Sequence, residues 1–521
     1  MSATPPMTAP YLIEVNARMH GHRPAVVCED DRLSWSDLDA GVNQAANTLI
    51  SLGLERGDKV VLVMDTSLAM MTMVFGVMRA GGVVVPLNPT QPQDALTYMI
   101  NKLSHARLFC DEALVGLVED MRPDLSGISA DGYFSFGKPV EGWRSVDSLL
   151  PVASTVAPNV AVSATDTSDI TFTSGTTGRP KGIELAHQAR FNYGFGVAQS
   201  LHMDRHSVAI CTTPLYTNGS WVLMLPALLQ AGTVVLMKQF EPNRFLELVS
   251  RERCTHVYLL PFQATLVAEC QAADVVDGAS VLRILSGGAM LPDKIYARLL
   301  EVFPNVEVHL LYGQSEGFTT IAGPKDFALG KQGSMGMALF GADLRLIDEE
   351  DNDLGIGAEG EIVFHGPGMM KGYFEDPEKT AELIWNGPNG RTYFRTGDFA
   401  RIDEDGYLFF LGRAQDVIRY KGEALFASQI EHVLSRHPDI NEVCVCGIQD
   451  GSDGHMPVAF VIPREGASID PVEVLNWSIA EAQGKPVAVE IVVRTEFPRG
   501  VLDKVLKKDL AATYVRDAAT V

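Results

Sequence analysis

The chain has 521 residues, more than one ordinary hydrophobic core organises, so several lobes are expected. Its 46% hydrophobic and 21% charged content is that of a globular protein and excludes a disordered chain. A formal net charge of -23 excludes a general nucleic-acid binder, whose footprint is basic, and leaves any phosphate ligand in need of locally cationic sites.

The opening MSATPPMTAPYLIEVNARMH lacks a basic stretch followed by an apolar one, so no secretory signal is expected. Ser36 then suits a helix N-cap, with Leu38, Val42, Ala45, Leu49 and Ile50 at helical spacing up to Gly53. RGDKVVLVMD reads as a short apolar strand. The next helix carries Met70, Met71, Met73 and Met78, better explained as core filling than as a soft binding face, and GGVVVPLNP is another strand. Helices alternating with Val-rich strands predict α/β crossovers and a mainly parallel sheet. The two longest apolar stretches are broken by Arg79, Gly81 and Gly82 and by Pro226 and Gln230, so no membrane span is expected.

The same rhythm returns near 200–310 in HSVAICTTP, GTVVLM, THVYLLP and VLRILSGG. From about 335 to 412 alternating strands predict a β-rich subdomain, and from 413 a helix and two strands predict a small α+β domain. The expected organisation is thus a large domain over 1–412 and a small mobile one over 413–521. Seven cysteines form no disulfide or zinc pattern, and Cys444 and Cys446 share one face of a strand, so a reducing cytoplasm is expected.

The most informative segment is ITFTSGTTGRPKGIELAH. A strand leads into Thr173, Ser174, Gly175, Thr176, Thr177, Gly178, Arg179 and Lys181. Glycines let backbone N–H groups turn toward an anion, hydroxyls add donors and two cations add charge. This suits a phosphate cradle, though not with the spacing GxxxxGK followed by Ser or Thr.

Here the chain resembles the adenylate-forming enzymes, which include acyl-CoA synthetases, adenylation domains of peptide synthetases and luciferases. Five further segments match in the family's order. SGGAM, with Gly287, Gly288 and Ala289, is similar to the stretch along the adenine. LLYGQSEG, with Tyr312, Gly313, Gln314 and Ser315, matches YGxTE with serine for threonine. YFRTGD, DGYLFFLGRAQDVIRYKG and PRGVLDKVLKKDL complete the set.

The resemblance implies a stand-alone acid:CoA ligase using ATP, Mg²⁺ and CoA on a small-molecule carboxylic acid, with a homodimer allowed. Alternatives are a free-standing adenylation enzyme loading a carrier protein and a catalytically silent nucleotide-binding relative. It implies that Glu316 binds Mg²⁺, that Thr176 and Thr177 lie near the phosphates, and that Tyr312 lies against the adenine. Asp398 would accept from the ribose hydroxyls, and Arg413 would reach the same region or form a domain-boundary ion pair. Lys504 would bridge substrate carboxylate and α-phosphate, beside Asp503 where the family usually has glycine. Gln415 maps to a hinge, Gly422 to a passage for pantetheine, and Arg419 and Lys421 to the surface presented to the second half-reaction.

TTPLYTNGSWVLMLPALL would begin the acyl pocket, with Tyr216, Thr217 and Trp221 lining it together with Gly288 and Gly313. Many relatives place a histidine where this chain has Thr217. The rival reading is a helix start capped by Thr217 or Asn218, with Trp221 in the core. Nothing cationic in this segment awaits a second carboxylate, which favours a simple acyl or aryl acid. The nucleotide and CoA segments are locally basic: 173–191 and 413–421 each hold three cations against one anion, and 498–510 four against two.

Overall fold

The computed structural model describes residues 7–173, 179–449, 454–482, 487–499 and 505–518. They form two packed units. The first comprises the described residues of Met1–Gly330, Gly336–Asp343 and His365–Ile384; the second comprises those of Lys331–Met335, Leu344–Phe364 and Trp385–Val521.

Two large sheets organise the first unit. One, eight-stranded among the described residues, runs Gly372–Tyr373, Lys181–Ala186, Thr167–Thr173, Val83–Pro86, Lys59–Val63, Ala106–Asp111, Ile128–Phe136, Arg144–Ser145. From Thr167–Thr173 onward its neighbours are parallel. The other, nine-stranded, has a parallel centre of Glu307–Gln314, Arg283–Gly287, His256–Leu259, Val208–Cys211, Thr233–Leu236 and Pro24–Cys28.

The side-chain period of two sends alternate residues of each strand to different cores. Val60 and Leu62 join a shared core between the sheets, whereas Val61 and Val63 face outward. Val234 and Leu236 enter the same shared core from the other sheet, and Val235 faces the opposite side. Helices Trp35–Ser51, Leu68–Arg79 and Asn218–Leu229 fill the space between, giving five layers of helix and sheet. Met70, Met71, Met73 and Met78 are all buried there, as core filling requires.

One cap differs from expectation. The second helix starts at Trp35, and Ser34, not Ser36, caps it. Ser34 Oγ accepts from Asp37 N at 3.2 Å, and Ser34 N donates to Asp37 Oδ2 at 3.1 Å. This reciprocal capping box outcompetes a lone serine two residues on. Leu38, Val42, Ala45 and Leu49 are buried, but Ile50 lies exposed at the edge of that stripe.

The second unit contains an antiparallel sheet in which Thr392–Ile402 pairs Glu359–His365 and Leu408–Arg413. Separate from that sheet are the hairpin of Val417–Tyr420 and Glu423–Phe426 and a three-stranded sheet of Ile440–Gln449, His455–Pro463 and Glu490–Val493, the last pair parallel. Cys444 and Cys446 share one small core while Val445 faces another, as their spacing predicts. Among the described residues no helix is long and apolar enough to cross a membrane.

Two buried histidines of the first unit set a pH limit on stability. Burial pushes both His187 and His256 down to about 4, below the unfolded value near 6.5. The fold holds them neutral, so their contribution is complete above pH 6.5 and is lost as pH falls toward 4. Each adds a slope of up to about 1.4 kcal/mol per pH unit across that window. Denaturant unfolding between pH 7 and 5 should show this loss, and His256→Gln should remove one histidine's share of the slope. An unchanged slope in that variant would contradict the assignment.

Candidate active site

In the first unit, the candidate residues gather at the carboxyl ends of parallel strands, where open α/β sheets place their ligands. Thr173 ends Thr167–Thr173 and pairs Lys181 across an antiparallel step. Ser174, Gly175, Thr176, Thr177 and Gly178 lie outside the described residues. Arg179 sits 5.2 Å from the Tyr98 ring centroid, and Lys181 Nζ 4.9 Å from that of Tyr373.

Gly287 ends Arg283–Gly287, where a Cβ would stand 2.7 Å from Leu311 O, so the neighbouring backbone approaches only because no side chain intervenes. Gly288 follows with φ +90, and Ala289 continues the turn. Tyr312, Gly313 and Gln314 form the end of Glu307–Gln314 and pair Thr320, Thr319 and Phe318 of the returning strand. Ser315 and Glu316 therefore stand at a hairpin turn.

That turn is held from outside. Gly317 has φ +118, and a Cβ there would lie 1.8 Å from Gly368 O. Met370 N donates to Glu316 O at 2.8 Å, and Tyr373 Oη donates to Glu316 Oε1 at 2.9 Å. Burial and the Glu316 carboxylate push the Tyr373 phenol far above its ordinary range, keeping it protonated as the donor. Tyr373 thus touches both Lys181 and Glu316, joining two motifs 135 residues apart in number. Nothing in MMKGYF marks it in the sequence.

At the pocket segment, Thr217 occupies the N-cap position of Asn218–Leu229 but makes no capping bond, its hydroxyl donating to Pro214 O at 2.8 Å. Tyr216 is half-buried beside it. Trp221 is only 2% exposed, packed edge-on to Phe75 at 6.3 Å and 4.3 Å from the Arg190 guanidinium. Arg190 supplies a cation next to this segment, but it is committed to Asp169.

In the second unit, Asp398 is buried and pairs Arg413 across neighbouring strands, with Arg413 Nε 3.5 Å from Oδ1. Gln415 is exposed in the three-residue turn Ala414–Asp416, and Arg419 pairs Glu349. Lys421 and Gly422 join the two strands of a hairpin with φ +50 and +84. Two positive φ values make this a type I′ turn, which demands glycine at Gly422 on backbone grounds alone. Lys504 and Asp503 lie outside the described residues.

Residues 13–374 match the AMP-binding enzyme family, and residues 429–501 match the AMP-binding enzyme C-terminal domain. The chain belongs to the AMP-binding enzyme family. It is 29% identical over 505 residues to feruloyl-CoA synthase from Amycolatopsis sp, covering 96% of this chain and 97% of that protein. The structure of ATP-bound MatB from Rhodopseudomonas palustris matches with a TM-score of 0.82 at 26% identity, over 97% of this chain and 99% of that one. The amide bond synthetase McbA from Marinactinospora thermotolerans matches with a TM-score of 0.85 at 25% identity, over 97% and 99% of the two chains.

Within this AMP-binding enzyme, Tyr373 is the site neighbour that motif spacing misses. Tyr373→Phe keeps the ring and removes only the donor to Glu316. ATP-dependent turnover should fall about tenfold or more, the worth of one hydrogen bond to a charged group. The thermal midpoint should barely move. Turnover equal to the parent's would separate the phenol from the working of the Glu316 turn.

Proposed function

We infer that the chain is an AMP-forming acid:CoA ligase. It activates a carboxylic acid with ATP to an acyl-adenylate and pyrophosphate, then transfers the acyl group to the thiol of CoA. The observation that carries this reading is the family match along both parts of the chain, with near full-length similarity to feruloyl-CoA synthase.

A carboxylate oxygen is a poor leaving group for thiol attack. Its attack on the α-phosphorus of ATP breaks the bond to pyrophosphate and gives an acyl-AMP whose AMP leaves readily. Positioning and charge stabilisation dominate such phosphoryl chemistry. Among the described residues no three His, Cys, Asp or Glu side chains cluster as a metal cage. Mg²⁺ is usually held by one or two carboxylates together with substrate phosphates. Glu316, steadied by Tyr373, is our candidate for the protein's share, and bound Mg²⁺ would neutralise phosphate charge.

Thr173, Lys181 and the hydroxyls of the glycine-rich segment are assigned to the phosphates, Gly287 to Ala289 and Tyr312 to the adenine, and Asp398 to the ribose. Arg413 holds Asp398 in the described geometry, which supports a role in orienting that carboxylate. Lys504 would stabilise charge developing between carboxylate and α-phosphate. For the second half-reaction the thiol adds to the acyl carbon, the bond to AMP breaks, and the thiol proton leaves to solvent. We propose the domain boundary at 413, with Gln415 as the hinge that brings Arg419, Lys421 and Gly422 into use.

The acid is proposed to be a simple acyl or aryl acid. Thr217, Asn218 and Gly219 are uncharged, and Arg190, the nearby cation, is neutralised by Asp169. A cytoplasmic location is supported by seven free thiols, six of them buried.

AMP release across a panel of acyl, aryl, dicarboxylic and amino acids, with and without CoA, tests this reading. CoA-dependent release on an acyl or aryl acid is expected; acid-dependent pyrophosphate exchange with no CoA thioester would overturn the acceptor. Lys504→Ala should abolish adenylate formation with the fold intact, and full adenylation in that variant would remove Lys504 from the site.

A further inference from the structure

A directional hydrogen-bond relay runs from the strand before the glycine-rich segment to the Glu316 turn. It begins at Asp169, fully buried on Thr167–Thr173. Arg190, on helix His187–Ser200, is 6% exposed and lies across it: Nε donates to Oδ1 at 3.0 Å and Nη2 to Oδ2 at 2.6 Å. Ser168 and Thr171 hydroxyls complete the carboxylate at 2.7 and 3.1 Å. Arg190 Nη1 then donates to Asn218 Oδ1 at 2.7 Å, at the first turn of Asn218–Leu229. Asn218 Nδ2 donates onward to Ser315 Oγ at 3.0 Å.

The direction of this chain is forced. A guanidinium has donors and no acceptor, so the amide atom facing it must be the carbonyl oxygen. The Asn218 NH₂ then faces Ser315, whose hydroxyl accepts and keeps its own hydrogen for another group. Ser315 immediately precedes Glu316. A buried, bidentate ion pair with its face covered by Trp221 is a rigid anchor for such orientation.

We propose that Asn218 is a positioning residue, oriented by the Asp169–Arg190 pair, that holds the Ser315 hydroxyl as a donor toward an anionic oxygen formed or bound during adenylation. The start of the pocket helix and the Glu316 turn then act as one unit. This rests on the adenylating activity inferred above.

The test compares Asn218→Asp with Asn218→Ala by acid-dependent pyrophosphate exchange. Aspartate keeps size and the Arg190 bond but accepts the Ser315 hydrogen, turning the donor away. Alanine leaves Ser315 free to rotate. The relay therefore predicts that Asn218→Asp is the worse variant, with kcat down about tenfold or more, as for a misdirected donor, and KM for ATP little changed. A packing role alone predicts the reverse order, because alanine leaves the larger hole. Adding Ser315→Ala to Asn218→Asp should cost little more than Asn218→Asp alone, since both act through one hydroxyl. Additive losses, or a milder Asn218→Asp, would overturn the relay while leaving the adenylating activity standing. Absence of exchange in the parent enzyme would overturn both. Thermal midpoints of the variants separate a lost site from a lost fold.

Discussion

The first unit depends on one constraint: two parallel sheets share a single layer of helices. Every central strand must then be apolar on both faces, one for the shared core and one for an outer core. Val60 to Val63 and Val234 to Leu236 meet this demand in continuous runs. Polar residues are few in the strand bodies, and a charged one such as Asp169 is buried there only with Arg190 laid across it. Thr173, Gly287 and Gln314 all end such strands, so the packing rule that hides the strands also gathers these candidate residues at one kind of edge. The shared layer tolerates charge only where it is fully met. Arg79 donates to Asp39, Asn43 and the Pro10 carbonyl, and Arg190 to Asp169 and Asn218. Pairs of this kind specify an arrangement more than they stabilise it, because desolvation offsets much of their attraction.

Much of this was readable in the sequence. Strand and helix order follows from the two hydrophobic periods, and the Met-rich helix and the Cys444 and Cys446 face follow from side-chain direction. The glycine-rich segment and YGQSE were visible because their chemistry is concentrated in neighbouring positions. What escaped were contacts made across the fold. Tyr373 meets Glu316 at a separation of 57 residues, and Asn218 meets Ser315 at 97. Packing of a helix start and a strand end against the Glu316 turn brings those pairs together, and no local pattern encodes it. Ser36 is displaced as the cap because Ser34 and Asp37 form a reciprocal S-x-x-D capping box, a pattern that the spacing of SWSD already carries.

Local charge counting shows the same limit. Three basic islands were expected to receive polyanionic ligands within an acidic chain. Arg190 is instead spent on Asp169, and Lys507 is held by Glu431, whose carboxylate keeps the half-buried lysine charged. Counting cations along a segment cannot separate those that face solvent from those that staple the interior. Arg179 and Lys181 are held differently, each over an aromatic ring.

The turn at Lys421 and Gly422 separates two demands that glycine satisfies together. One is handedness, since both residues take positive φ; the other is emptiness, since a methyl at Gly422 would meet open space among the described residues. At the φ of +84 that Gly422 takes, an L-residue is strained by the first before it tests the second. A D-alanine built in by chemical ligation would be at ease with the handedness and would fill only the space. Mirror-image chemistry, rather than ordinary mutagenesis, is what can tell a turn requirement from a passage for a thiol arm at this position.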